Sequence, residues 1–117
     1  MNHKQTIGRW GEHSATEYLE QQGYIILVRN FRAGRGEIDI IARQENILVF
    51  VEVKTRSSNR YGYPEHSVTP AKRIHLLAAA EKYLLNHPEF KTWRMDVIAG
   101  EAESGSAKIT HFENVIS

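Results

Sequence analysis

The sequence predicts one α/β domain, a mixed β-sheet flanked by helices, with elements in the order α-β-β-β-α-β-β. Three observations predict it. Residues 5–22 and 70–87 carry apolar side chains at helical spacing. The runs at 24–29, 37–43, 47–54, 93–99 and 108–114 are short and rich in Val, Ile, Tyr and Phe, as strands are. The connection between the second and third runs is short enough for an antiparallel hairpin, whereas a strand–helix–strand crossover joins the third to the fourth. Together these require a mixed sheet. A chain of 117 residues without repeat or linker is one domain, residues 1–117.

Each element has its own warrant. In the first helix Ile7, Gly11, Ala15, Tyr18 and Leu19 fall on one face, and Gly23 stops it. Tyr24 to Arg29 is the first strand, and Asn30 to Gly36, with two glycines, reads as a turn or loop. Glu37 to Arg43 and Ile47 to Lys54 are the hairpin strands. Thr55 to Val68 is a polar loop long enough to suggest function. Thr69 is the N-cap of the second helix, with Pro70 at its first position, and Pro88 ends it. Trp93 to Ala99 and Lys108 to Asn114 are the last strands, joined by a turn at Gly100 to Ala107.

Composition removes several function classes. With no cysteine there is no disulfide, no thiolate nucleophile and no Cys-ligated metal. The six histidines lack metal-ligand spacing on one face, which argues against zinc. Gly34-x-Gly36 leads into a strand rather than a helix, so it is no nucleotide fingerprint. No apolar run reaches membrane-spanning length, and the first residues lack the apolar stretch of a secretory signal; the expectation is a cytoplasmic protein without a membrane partner.

Charge and acid usage point to a place in the chain. Net charge is +1, but residues 29–73 hold nine Lys/Arg against five Asp/Glu. That local excess fits phosphate contact or an ordinary solvated face. Twelve of the fourteen acids are Glu, and the two aspartates, Asp39 and Asp96, both sit inside apolar β-runs. A short carboxylate in a strand opposes propensity and burial, and such local conflicts concentrate at functional sites.

Alternation along Ile47 to Lys54 puts Leu48, Phe50, Glu52 and Lys54 on one face. If the hairpin loop is Glu45-Asn46, Gln44 lies opposite Ile47, Asp39 opposite Glu52 and Glu37 opposite Lys54. A three-residue loop would turn Asp39 to the other face. Two carboxylates about 5 Å apart beside an ammonium repel each other unless a hard divalent cation, Mg²⁺ or Mn²⁺, joins them. The same pattern also fits an ion-pair ladder on a wet sheet face.

The spacing D-x12-E-x-K, Asp39 then Glu52 and Lys54, resembles the PD-(D/E)XK nuclease core. The strings Gly36-Glu37-Ile38-Asp39-Ile40-Ile41 and Val51-Glu52-Val53-Lys54-Thr55-Arg56 resemble the YraN family more closely. That bacterial family is described as endonuclease-like and similar to archaeal Holliday-junction resolvases. The resemblance extends through Gly8 to Glu12, Ala15, Gly23-Tyr24, Arg29-Asn30, Gly62, Lys72 and Arg94 to Val97. Ile38 stands where the superfamily's name has a proline.

The resemblance implies a restriction-endonuclease-like fold and a Mg²⁺- or Mn²⁺-dependent endonuclease for branched or structured DNA. It implies Asp39 and Glu52 as metal ligands, Lys54 as the catalytic lysine, and Glu12 on the first helix as a further member of the site. Arg35, Arg56, Arg60 and Lys72 are the candidates for nucleic-acid contact. Tyr61 and Tyr63 are interleaved with Arg56 and Arg60, a mix suited to backbone contact and base stacking. Asp96 reads as a partner of Lys72 or Arg94, or as a strand-end ion pair. A resolvase-like role favours a two-fold homodimer. The competing function is a nucleic-acid-binding module on the same fold whose catalysis is absent or depends on a partner.

Overall fold

The computed structural model describes residues 3–56, 69–103 and 106–115. Its elements are α1 (His3–Gln21), β1 (Ile25–Ala33), β2 (Gly36–Gln44), β3 (Ile47–Arg56), α2 (Pro70–Leu85), β4 (Thr92–Glu103) and β5 (Ser106–Phe112). The mixed α/β order is the expected one. Among the described residues the strands form one sheet in chain order, antiparallel except for the parallel pair β3–β4 that the α2 crossover makes. No helix among them is long and apolar enough to cross a membrane.

The central strand β3 has both faces covered, so both of its alternating sets are apolar. Leu48 and Phe50 pack under α2 with Leu76, Ala79, Ala80 and Tyr83. Val49 and Val51 pack under α1 with Ala15 and Leu19. The β2–β3 turn is the two-residue Glu45-Asn46, Glu45 taking φ +54°, and Gln44 pairs with Ile47.

Two expectations about the strands are corrected. Residues 30–33 are not loop: β1 continues to Ala33, and only Gly34-Arg35 turns, with Gly34 at φ +59°. Likewise β4 runs on through Gly100 to Glu103, because its backbone is paired to β3 on one side and β5 on the other. Those two ladders outweigh the turn propensity of Gly100.

Asn30 nevertheless leaves its mark. It adopts φ +57°, a left-handed conformation that Asn tolerates better than most residues. Its neighbours pair Arg29 with Ile40 and Phe31 with Ile38, so the register sets Asn30 opposite Asp39. Beyond this point the alternation slips. Arg29 reaches Glu12 on α1, yet Phe31 and Ile38 both pack in the α2-side core. The outer half of the β1–β2 hairpin is therefore folded onto α2, and the β2–β3 ladder ends at Ile40–Val51, one pair short of Asp39 and Glu52.

Gly36 lets the hairpin come this close. A Cβ there would lie 2.1 Å from the backbone carbonyl oxygen of His75 and 3.0 Å from the Ala79 Cβ. A helix carbonyl cannot swing aside as a flexible side chain can. Gly36→Ala is expected to destabilise the fold by about 3 kcal/mol, read as a lower urea midpoint at unchanged slope.

Candidate active site

The site lies where β3 ends and α2 begins. Glu52 follows Phe50 on the α2 face of β3, and its side chain is only 7% exposed. Lys54, two residues on, places its Nζ 3.5 Å from Glu52 Oε1. Across the sheet's end, the Thr69 Oγ1 accepts the Lys72 backbone N–H at 3.1 Å, and Pro70 fits the first helical position. This start aims Lys72 at the sheet, where its Nζ is 2.7 Å from the same Glu52 oxygen.

Asp39 enters the gap left where β2 parts from β3. Its Oδ2 accepts the Val53 backbone N–H at 2.7 Å, so a side chain replaces the ladder bond that the parting strand gives up. Asp39, Glu52 and Lys72 line one cavity of about 360 Å³, with Arg35, Glu37 and His75 around them. Glu52 thus shares the cavity with Asp39 and an ion pair with Lys54, but Asp39 is not its cross-strand partner as the register argument expects, because the β2–β3 ladder ends at Ile40–Val51. Glu37 does not oppose Lys54. It pairs instead with Arg32 at 3.7 Å, because the folded hairpin has left β3.

Burial and mutual charge shift the groups of this arrangement away from their ordinary ranges. Burial, reinforced by the Glu52 charge, pushes the Asp39 carboxyl up to about 7, against the pull of the Val53 N–H; Glu12 and Glu37 push the same way. Burial lowers the Lys54 ammonium, and the neighbouring Lys72 adds to the effect. Lys72 goes the other way: burial opposes its charge, but contact with Glu52 prevails and raises it. Glu52 Oε2 and Glu12 Oε1 are buried with no hydrogen-bond partner among the described residues. A buried carboxylate oxygen with no donor is costly, and an ion or a water molecule can remove the cost.

Gly11 places Glu12. A Cβ there would meet the Thr55 Cγ2 at 1.7 Å and its Cβ at 3.1 Å, so glycine lets α1 lie against the end of β3 without displacing that side chain. Glu12 is half-buried, with Oε1 3.6 Å from Arg29 Nη2. Its charge reaches Asp39, but among the described residues no three His, Asp or Glu side chains converge into one metal-ligand group. Of the described carboxylates that line the cavity, Glu37 is engaged with Arg32, which leaves Asp39 and Glu52 as the candidate oxygen donors. That fits Mg²⁺ or Mn²⁺, which take one or two carboxylates with water and substrate oxygens.

Of the other candidates, Arg35 sits exposed on the β1–β2 turn at the cavity's edge. Arg56 ends β3 beside Glu101, and only its backbone is described. Arg60, Tyr61 and Tyr63 lie outside the described residues. His75 was not among the sequence-derived candidates, although it stands three residues after Lys72 and so shares its helix face.

Asp96 belongs to the opposite face of the sheet. It is fully buried, bound by Arg94 Nε at 3.1 and 3.2 Å, His111 Nε2 at 2.7 Å and the Asn114 backbone N–H at 2.9 Å. Tyr24 and Gln44 hold the remaining guanidinium nitrogens, and the Tyr18 hydroxyl meets His111 Nδ1 at 3.1 Å. Of the partners expected for Asp96, Arg94 is found and Lys72 is not. Asp96→Ala takes the buried acceptor from Arg94, His111 and the Asn114 N–H, leaving the part-buried guanidinium with Gln44, Tyr24 and Glu113, and is expected to cost about 3 kcal/mol in urea unfolding. Mn²⁺ affinity of the folded fraction should not change.

The names of the chain's relatives state no reaction. Residues 11–99, which include both carboxylates and both lysines, match the model of "Uncharacterised protein family UPF0102". A UPF0102 protein of Syntrophomonas wolfei is 45% identical over 109 residues, covering 92% of this chain and 95% of its own. One from Syntrophotalea carbinolica is 44% identical over 108 residues, covering 92% and 88%. One from Chlorobium phaeobacteroides is 49% identical over 94 residues, covering 80% and 75%.

Proposed function

The chain belongs to the UPF0102 family, and we propose that it is a Mg²⁺- or Mn²⁺-dependent endonuclease acting on structured or branched DNA. The observation that carries this reading is the buried Glu52 Oε2, which lacks a hydrogen-bond partner among the described residues in a cavity it shares with Asp39. The resemblance of Asp39, Glu52 and Lys54 to the PD-(D/E)XK core supports it. Asp39 and Glu52 would hold the ion. When bound, such an ion polarises a phosphoryl oxygen and makes water more acidic.

The chain's own residues do the rest. Lys54, fixed beside Glu52 and with its charge weakened by burial, stabilises negative charge building on the phosphate or orients the attacking water. Lys72 and Arg35, at the cavity, meet flanking phosphates. Asp39 holds its orientation through the Val53 N–H.

A second reading, a DNA-binding module whose catalysis depends on a partner, is favoured by one contact. The Lys72 ammonium already occupies Glu52 Oε1 at 2.7 Å, so the acid is partly neutralised from within. Labelled four-way junction, flap, single strand and duplex, incubated with Mg²⁺ or Mn²⁺, separate the two. Nicking of junction or flap that stops in chelator is the result expected of the enzyme. Binding that weakens with salt, at a slope of about 0.9 per phosphate contacted, without cleavage of any substrate, identifies the module. Neither binding nor cleavage overturns both.

A further inference from the structure

We propose that Lys72 is the resident counterion of the carboxylate site and is exchanged for the divalent cation, so that metal and DNA backbone bind cooperatively. This rests on the reading of Asp39 and Glu52 as the metal-holding pair. Glu52 and Lys72 differ in freedom. Glu52 is on the central strand, 7% exposed, and cannot leave; Lys72 is on the first turn of α2, 37% exposed, on a flexible stem. Whatever moves when a cation arrives must be the lysine. Lys54, on the same strand as Glu52 and 22% exposed, stays.

With both lysines in place, a dication on Glu52 Oε2 would stand a carboxylate's width from the Lys72 ammonium and be repelled by it. Swinging out relieves that repulsion and delivers the ammonium to the cavity's open side, where a backbone phosphate would lie. The reverse holds as well. A phosphate that draws Lys72 away uncovers Glu52 Oε1 and makes the site more anionic. By linkage each ligand must favour the other by one and the same factor.

Mn²⁺ is titrated calorimetrically into wild type, Lys72→Met and Lys72→Arg. The grip of each on a labelled duplex is read by anisotropy with and without Mn²⁺, and Glu52→Gln measures the effect of Mn²⁺ on the DNA itself. Without DNA, Lys72→Met is expected to bind Mn²⁺ at least about fivefold more tightly than wild type. Mn²⁺ should tighten duplex binding by at least about fivefold in wild type and Lys72→Arg, and by less than about twofold in Lys72→Met. Equal Mn²⁺ affinity in wild type and Lys72→Met, or equal tightening in both, overturns the exchange and leaves the metal site standing. No Mn²⁺ binding by any variant overturns both.

Discussion

Glu52→Gln is expected to abolish nicking, by at least about 10²-fold, while the protein stays folded. The amide keeps the shape of the side chain but removes the charge a divalent cation needs from one of its two protein donors. Stability without metal should change by no more than about 1 kcal/mol, because two effects oppose each other. The ion pairs with Lys72 at 2.7 Å and Lys54 at 3.5 Å are lost, and the repulsion with Asp39 is relieved. DNA affinity in chelator should hold or rise, since a negative charge facing phosphate is gone and Lys72 is released. Circular dichroism, anisotropy and nicking on one preparation check all three. A variant that nicks as well as wild type removes Glu52 from the reaction.

The second large effect is in stability against pH. Asp39 has its carboxyl pushed up to about 7 in the folded chain, far above the ordinary 3.8 that it regains on unfolding. Between those values the folded state binds a proton that the unfolded state has lost. The contribution is therefore fully present below about pH 4 and is lost as pH rises through about 7. Asp39→Asn keeps an acceptor for the Val53 N–H and removes the titration. At pH 8 in chelator it should be more stable than wild type by about 3 kcal/mol, and near pH 4 about equal to it. Groups distant from Asp39 cancel in the difference, and the neighbours that feel its charge, Glu52 and Lys72, share in it. Adding Mn²⁺ at pH 8 should raise the urea midpoint of wild type and leave Asp39→Asn where it was. A stability difference that does not vary with pH contradicts the placement of Asp39 in a low-dielectric, acid-crowded cavity.

Much of the site was legible in the sequence because period two and one short turn determine it. Once Glu45-Asn46 is the loop, Gln44 meets Ile47, and Asp39 comes to the end of the strand that carries Glu52 and Lys54. The start of α2 was equally plain from Thr69-Pro70. Other features depend on residues far apart in the chain. Asn30 signalled a break, and the break is real, but it is a left-handed residue inside β1 rather than the start of a loop. Its consequence, a hairpin folded onto α2 over Gly36, depends on a close approach to His75 that neither local pattern shows. Lys72 was read as a candidate phosphate contact from its place on the first turn of α2; its ion pair with Glu52 depends on how that helix sits against β3, which no local pattern shows. Asp96 stood out by composition, but its partners His111 and Asn114 arrive only with β5 and the residues after it.

The most direct measurement is calorimetric titration of Mn²⁺ into wild type, Asp39→Asn and Glu52→Gln at pH 8 without DNA. One ion per chain in wild type and none in either variant is the expected result. Equal binding by all three would contradict the assignment of Asp39 and Glu52 as the metal-holding pair.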